Sequence, residues 1–137
     1  MTLKTIMIPL LVAGMVTAGS VGINQAEEPE TSPGTDYYMG NYTITFYCPC
    51  KKCCGKSPGD PGYKITASGT TATEGRTIGV NPKVIPYGTE VYIDGLGWYT
   101  AEDTGGAIKG NKIDVYMESH QECLQMGKQY RDVYVRR

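Results

Sequence analysis

The chain is built from short β-prone stretches that turn signals cut off early, and this pattern limits its fold more than any other feature. Residues 42–47, YTITFY, are dense in β-branched and aromatic side chains. Further strand candidates are 77–80, 90–93, 98–101, 112–117 and 132–135. Pro-Tyr-Gly at 86–88, Asp-Gly-Leu-Gly at 94–97 and Thr-Gly-Gly at 104–106 separate them. Alternation assigns the faces: Val91 and Ile93 share one side, and Ile113, Val115 and Met117 point to a core while Lys112, Asp114 and Tyr116 face away. One short helix is expected after Ser119, with Ser119 as cap and Glu122 completing a capping box. About six short strands with one helix predict a mainly β chain closed into a barrel, which leaves no strand edge open. A chain of 137 residues, 40% hydrophobic, is enough for one such domain.

The first 26 residues are of another kind. Lys4 precedes an apolar run, IMIPLLVAGMVTAGSVG at 6–22, and small residues follow. That is the composition of a secretory signal peptide, cleaved after Ala18 or Ala26. The competing reading is a retained anchor, but Pro9 and the glycines weaken it. Residues 27–40, beginning EEPETSPGTD, read as an acidic, proline-containing linker, and 41–137 as the folded domain. The expected product is a secreted, monomeric protein of the cell wall or surface, with no stable membrane insertion after signal removal. The net charge of −1 offers no basic footprint, so nucleic acid is excluded as a partner.

Chemistry is concentrated in residues 101–120, AEDTGGAIKGNKIDVYMESH. Asp103 and Asp114 flank a loop whose glycines let a bulky polymer approach the backbone. Two carboxylates in one cleft perturb each other, so that one can stay protonated and act as an acid. The plainer alternative is a glycine-rich hairpin with two solvated acids.

The segments ITASGTTAT at 65–73, IGVNPKVIPYGTEVYIDGLG at 78–97 and AEDTGGAIKGNKIDVYM at 101–117 resemble, in this order, the 3D domain family, named for three aspartates. That family is similar to the catalytic barrel of membrane-bound lytic transglycosylase A and to stationary-phase and resuscitation-type wall proteins. The resemblance spans roughly 41–135 and implies a six-stranded double-psi β-barrel that cleaves or remodels peptidoglycan; no cofactor or metal is expected. Two of the aspartates carry over, Asp103 and Asp114, while the first falls on Asn81, which cannot ionise. Asp114 aligns with the family's catalytic acid, with Asp103 as electrostatic support. Asn81, Ser68, Gly69, Thr70, Thr104, Gly105, Gly106, Lys109 and Thr45 are the expected contacts to glycan strands. Because Asn81 departs from the family, a non-catalytic glycan-binding module is the alternative reading. Asp103-Thr104-Gly105 also resembles the aspartic-protease signature, but Ala101-Glu102 stands where an apolar pair would precede it.

CPCKKCC at 48–54 holds Cys48, Cys50, Cys53 and Cys54; the fifth cysteine is Cys123. Four thiols this close could bind zinc as an all-cysteine site, although two separated C-x-x-C knuckles are missing. In a secreted chain disulfides are the default, with Cys123 pairing to the cluster and the bridges stapling a loop at the barrel mouth. His120, the single histidine, reads as a surface or capping residue.

Overall fold

The structure is a computed structural model that describes residues 36–136. The signal-peptide reading of 1–26 lies outside the described residues, as does most of the linker reading. Eight elements follow in order: β1 Tyr37–Tyr47, α1 Lys51–Cys54, β2 Thr77–Gly79, β3 Glu90–Ile93, β4 Gly97–Asp103, β5 Lys112–Tyr116, α2 His120–Met126 and β6 Gln129–Val135. The strands close into a barrel in the order β1-β5-β2-β4-β3-β6. β1 and β5 run parallel, as do β2 and β4, and the other four pairings are antiparallel. The expected mainly β barrel is the fold; a second short helix, α1, accompanies the expected one.

The barrel is filled by Tyr42, Ile44, Ile78, Val80, Ile85, Val91, Ile93, Ala101, Ile113, Val115 and Val133. Burying each larger aliphatic side chain of this set stabilises the fold by about 1.5–3 kcal/mol. The alternation read from the sequence holds for Val91, Ile93, Ile113 and Val115. Tyr116 differs: it was expected to face away, yet it is buried. Tyr47 on the neighbouring β1 covers it edge-on, with ring centroids 5.4 Å apart.

β1 is longer than its core-facing stretch. Tyr37 and Tyr38 pair with Val135 and Tyr134 of β6, and the register shifts between Tyr38 and Gly40, where Gly40 has φ +111°. A bulge of this kind breaks the two-residue period and hides the start of the strand from the sequence pattern. α2 begins as expected, with the Ser119 hydroxyl accepting a hydrogen bond from Glu122 N at 3.2 Å.

Candidate functional site

β2 lies between β4 and β5, so a single residue of β2 sits in register with both aspartates. Gly79 pairs with Asp103 across the parallel β2–β4 ladder and with Asp114 across the antiparallel β2–β5 ladder. Neighbouring strands lie about 4.8 Å apart, so the two aspartate backbones are separated by about 10 Å. The position between them carries no side chain. A Cβ added at Gly79 would stand 2.8 Å from Ile108 Cδ1 and 3.6 Å from Asp114 Cβ. The glycine keeps open the floor of a cleft of about 420 Å³. Asp103, Asp114, Gly79, Tyr47 and Tyr116 line it, with the Thr104–Ile108 loop and Lys56 and Lys64 on its walls.

The two carboxylates sit in different surroundings. Asp103 is tied down: Tyr47 OH donates to its Oδ2 at 2.8 Å, and the Ala67 and Thr104 amides donate to its Oδ1, each at 2.9 Å. Asp114 accepts one side-chain hydrogen bond, from Thr45 Oγ1 at 3.0 Å, because Thr45 is its register partner on β1. Burial pushes the Asp114 carboxyl above the ordinary value of 3.8; the Thr45 hydrogen bond and the Lys112 charge oppose the rise, and the Asp103 charge adds the least to it. Mutual repulsion between the acids, the cause expected from the sequence, is therefore secondary to desolvation.

The structure brings together Asp103, Asp114, Thr104, Gly105 and Gly106, with Thr45 supporting Asp114 from β1. It does not bring the other expected contacts onto the cleft wall. The Asn81 side chain turns to its own loop, where its Oδ1 accepts from Lys83 N at 3.1 Å. Ser68, Gly69 and Thr70 form a turn closed by hydroxyl contacts, Thr66 to Thr70 at 2.7 Å and Thr66 to Ser68 at 3.1 Å. That turn reaches the site through the Ala67 amide. Lys109 is exposed on the loop before β5.

Sequence reasoning missed three residues. Tyr47 holds Asp103, and its place beside β5 follows from a parallel pairing that spacing along the chain does not reveal. The Tyr116 hydroxyl is buried with no hydrogen-bond partner among the described residues, and Tyr116 lines the cleft. Glu102, next to Asp103 but buried on the other face of β4, accepts from Thr77 Oγ1 at 2.7 Å and pairs with Arg76 at 3.1 Å, bracing the strand that presents Asp103.

The structure does not show the expected disulfides: its five cysteines are free. The sulfurs of Cys48 approach Cys50 at 3.0 Å and Cys53 at 3.4 Å, well beyond the bond length of about 2.05 Å. Cys54 turns away to donate to the Cys48 carbonyl, and Cys123 is buried on α2. His120, expected as a surface or capping residue, instead faces the thiols.

Residues 76–136 match the family model of the 3D domain. The cell wall-binding protein YocH of Bacillus subtilis (strain 168) is 48% identical over 68 residues, which are 44% of this chain and 24% of YocH. The putative cell wall shaping protein YabE of the same organism is 29% identical over 111 residues, 81% of this chain and 26% of YabE. The chain thus spans about a quarter of the length of these relatives. Among solved structures it is similar to the lytic transglycosylase MltA from Escherichia coli, at 24% identity over 53% of this chain and 27% of MltA, with a TM-score of 0.48.

Proposed function

We propose that this chain, whose residues 76–136 match the 3D domain model, works on peptidoglycan outside the cell and cleaves its glycan strands as a lytic transglycosylase. The observation that carries this reading is Asp114: a carboxyl raised by burial, on the wall of an open cleft. A carboxyl that keeps its proton at higher pH than usual is fitted to donate it. The wall-related names of YocH and YabE point to the same polymer.

In this mechanism Asp114 protonates the glycosidic oxygen between N-acetylmuramic acid and N-acetylglucosamine. The anomeric carbon gains oxocarbenium character as that bond breaks. The Asp114 carboxylate then takes the proton of the 6-hydroxyl of the same muramic residue, which attacks the anomeric carbon and leaves a 1,6-anhydro end. The nucleophile is part of the substrate, so one acid/base carboxyl suffices, in contrast to ordinary glycoside hydrolysis. Asp103, held by three hydrogen bonds, orients the substrate and stabilises developing charge from the opposite side of Gly79.

The second reading is a wall-binding module without cleavage, which the name of YocH favours. Incubating the purified chain with peptidoglycan and analysing soluble products by mass spectrometry separates the two. Anhydro ends that disappear in Asp114→Asn support the transglycosylase. Reducing ends indicate a hydrolase. Retention on the polymer without release indicates the binder and overturns the enzymatic reading.

A further inference from the structure

The parallel pairing of β1 with β5 has a second effect at the ends of those strands. Tyr47 and Tyr116 are the last register partners, and Met117 N extends the ladder to the Tyr47 carbonyl at 2.8 Å. The residues that follow each strand therefore leave the barrel side by side. Those after β1 are Cys48-Pro49-Cys50 and the single helical turn of α1. Those after β5 end in the Ser119 cap, with His120 as the first residue of α2. His120 is brought against a C-x-C-x-x-C segment about seventy residues away in sequence.

Its Nδ1 lies 3.5 Å from Cys48 Sγ, 3.4 Å from Cys50 Sγ and 3.6 Å from Cys53 Sγ. Hydrogen bonding does not account for this arrangement. A ring nitrogen has either one proton or one lone pair, enough for one thiol and not for three at equal distance. A tetrahedral zinc ion accounts for it. With Zn–S of about 2.3 Å and Zn–N of about 2.0–2.1 Å, sulfur and nitrogen ligands stand about 3.6 Å apart and sulfurs about 3.8 Å apart. The four donor atoms here all lie within 4.8 Å of one another. The observed sulfur–nitrogen spacings match, and the sulfur pairs at 3.0 and 3.4 Å need to open by less than about 1 Å.

We propose that Cys48, Cys50, Cys53 and His120 form a structural zinc site of three thiolates and one imidazole. Four protein ligands complete the tetrahedron and leave no position for water or substrate, so the site holds the fold rather than performing chemistry. Binding releases the three thiol protons to solvent, and the zinc with three thiolates and a neutral imidazole carries a net charge of −1. The ion ties the loop after β1 to the start of α2. Pro49, Cys53 and Cys54 of that loop line the cleft that holds Asp103 and Asp114, so the metal fixes one wall of it. The site takes the place of the disulfide staple expected from the sequence. Cys54 and Cys123 lie outside the cluster: Cys54 donates to the Cys48 carbonyl, and Cys123 is buried on α2.

The test is metal analysis of the full chain purified in reductant without chelator, by plasma mass spectrometry after dialysis. One zinc per chain is expected. Exchange with cobalt(II) should give sulfur-to-cobalt charge transfer and the intense visible bands of a tetrahedral site, a readout that needs no variant. Cys53→Ser and His120→Ala should lose the stoichiometric metal, while Cys54→Ser and Cys123→Ser keep it. A chelator should lower the melting temperature of the wild type. Sub-stoichiometric metal, octahedral cobalt spectra, intact-mass evidence of a disulfide within the cluster, or metal kept by His120→Ala and lost by Cys123→Ser would each overturn the proposal. None of these readouts depends on whether the chain cleaves glycan.

Discussion

Replacing Asp114 by Asn should make the protein more stable near neutral pH while abolishing cleavage. Asn has the same shape and can still accept the hydrogen bond from Thr45 Oγ1, 3.0 Å long in the wild type, but it bears no charge to desolvate. In the wild type, burial is the main cause that raises the Asp114 carboxyl above 3.8. The folded state therefore holds the proton more tightly than the unfolded chain does. Stability contributed by this group is fully present below 3.8 and is lost as pH rises through the higher folded value. Each tenfold difference in proton affinity between the two states corresponds to about 1.4 kcal/mol. In a domain of this size about 1 kcal/mol moves the melting temperature by about 4–8 °C. The assay is a thermal melt of both proteins across acidic to neutral pH, paired with product release from peptidoglycan. The two melting curves should converge at acidic pH and separate as pH rises, with the variant higher. A variant that melts below the wild type at neutral pH would refute the reasoning, because it would mean that the ionised carboxylate is a net stabiliser.

The neighbours of the two acids carry three further predictions. Thr45→Val removes the hydrogen bond that favours the charged form of Asp114, so the carboxyl should rise further and the pH optimum of cleavage should move upward; an unchanged pH–rate profile would mean that Asp114 is not the titrating acid. Gly79→Ala sets a methyl 2.8 Å from Ile108 Cδ1 on the cleft floor, so melts should show a loss of about 1–3 kcal/mol and product release should slow; wild-type turnover would show that substrate does not reach the floor. Asn81→Asp keeps the acceptor for Lys83 N and lies off the cleft wall, so stability should stay within about 0.5 kcal/mol and the pH optimum should not move; an upward shift would return this position to the electrostatics of Asp114.

The parts of this protein that were legible in its sequence are those encoded within a few residues. Ile113 and Val115 alternate with Lys112 and Asp114, and that period alone assigned the core face of β5. Ser119 and Glu122 stand at the spacing of a helix cap, and the bond between them forms. Asp103 and Asp114 stood out because a glycine-rich loop separates them. What was not legible depends on which strands become neighbours. Thr45 and Tyr47 reach Asp114 and Asp103 only because β1 lies beside β5, with contacts 69 and 56 residues apart in sequence. His120 meets the cysteines for the same reason, so counting cysteines led to disulfides instead of a mixed cysteine–histidine cluster. α1, a single turn of four residues, has no apolar periodicity to detect.

The departure at Asn81 takes on a different meaning once the strands are placed. A missing carboxylate, relative to the three aspartates of the family that the sequence resembles, would weaken the enzymatic reading if that carboxylate tuned the acid. Here burial raises Asp114, Thr45 and Lys112 restrain it, and even Asp103, across Gly79 on the same cleft, contributes least. The Asn81 side chain caps its own turn and does not line the cleft. Asn serves that capping role as well as Asp does, because both offer an Oδ1 acceptor to the amide two residues on. On the proposed reading, the acid/base role of Asp114 rests on where β5 places it and on what covers it, and neither involves Asn81.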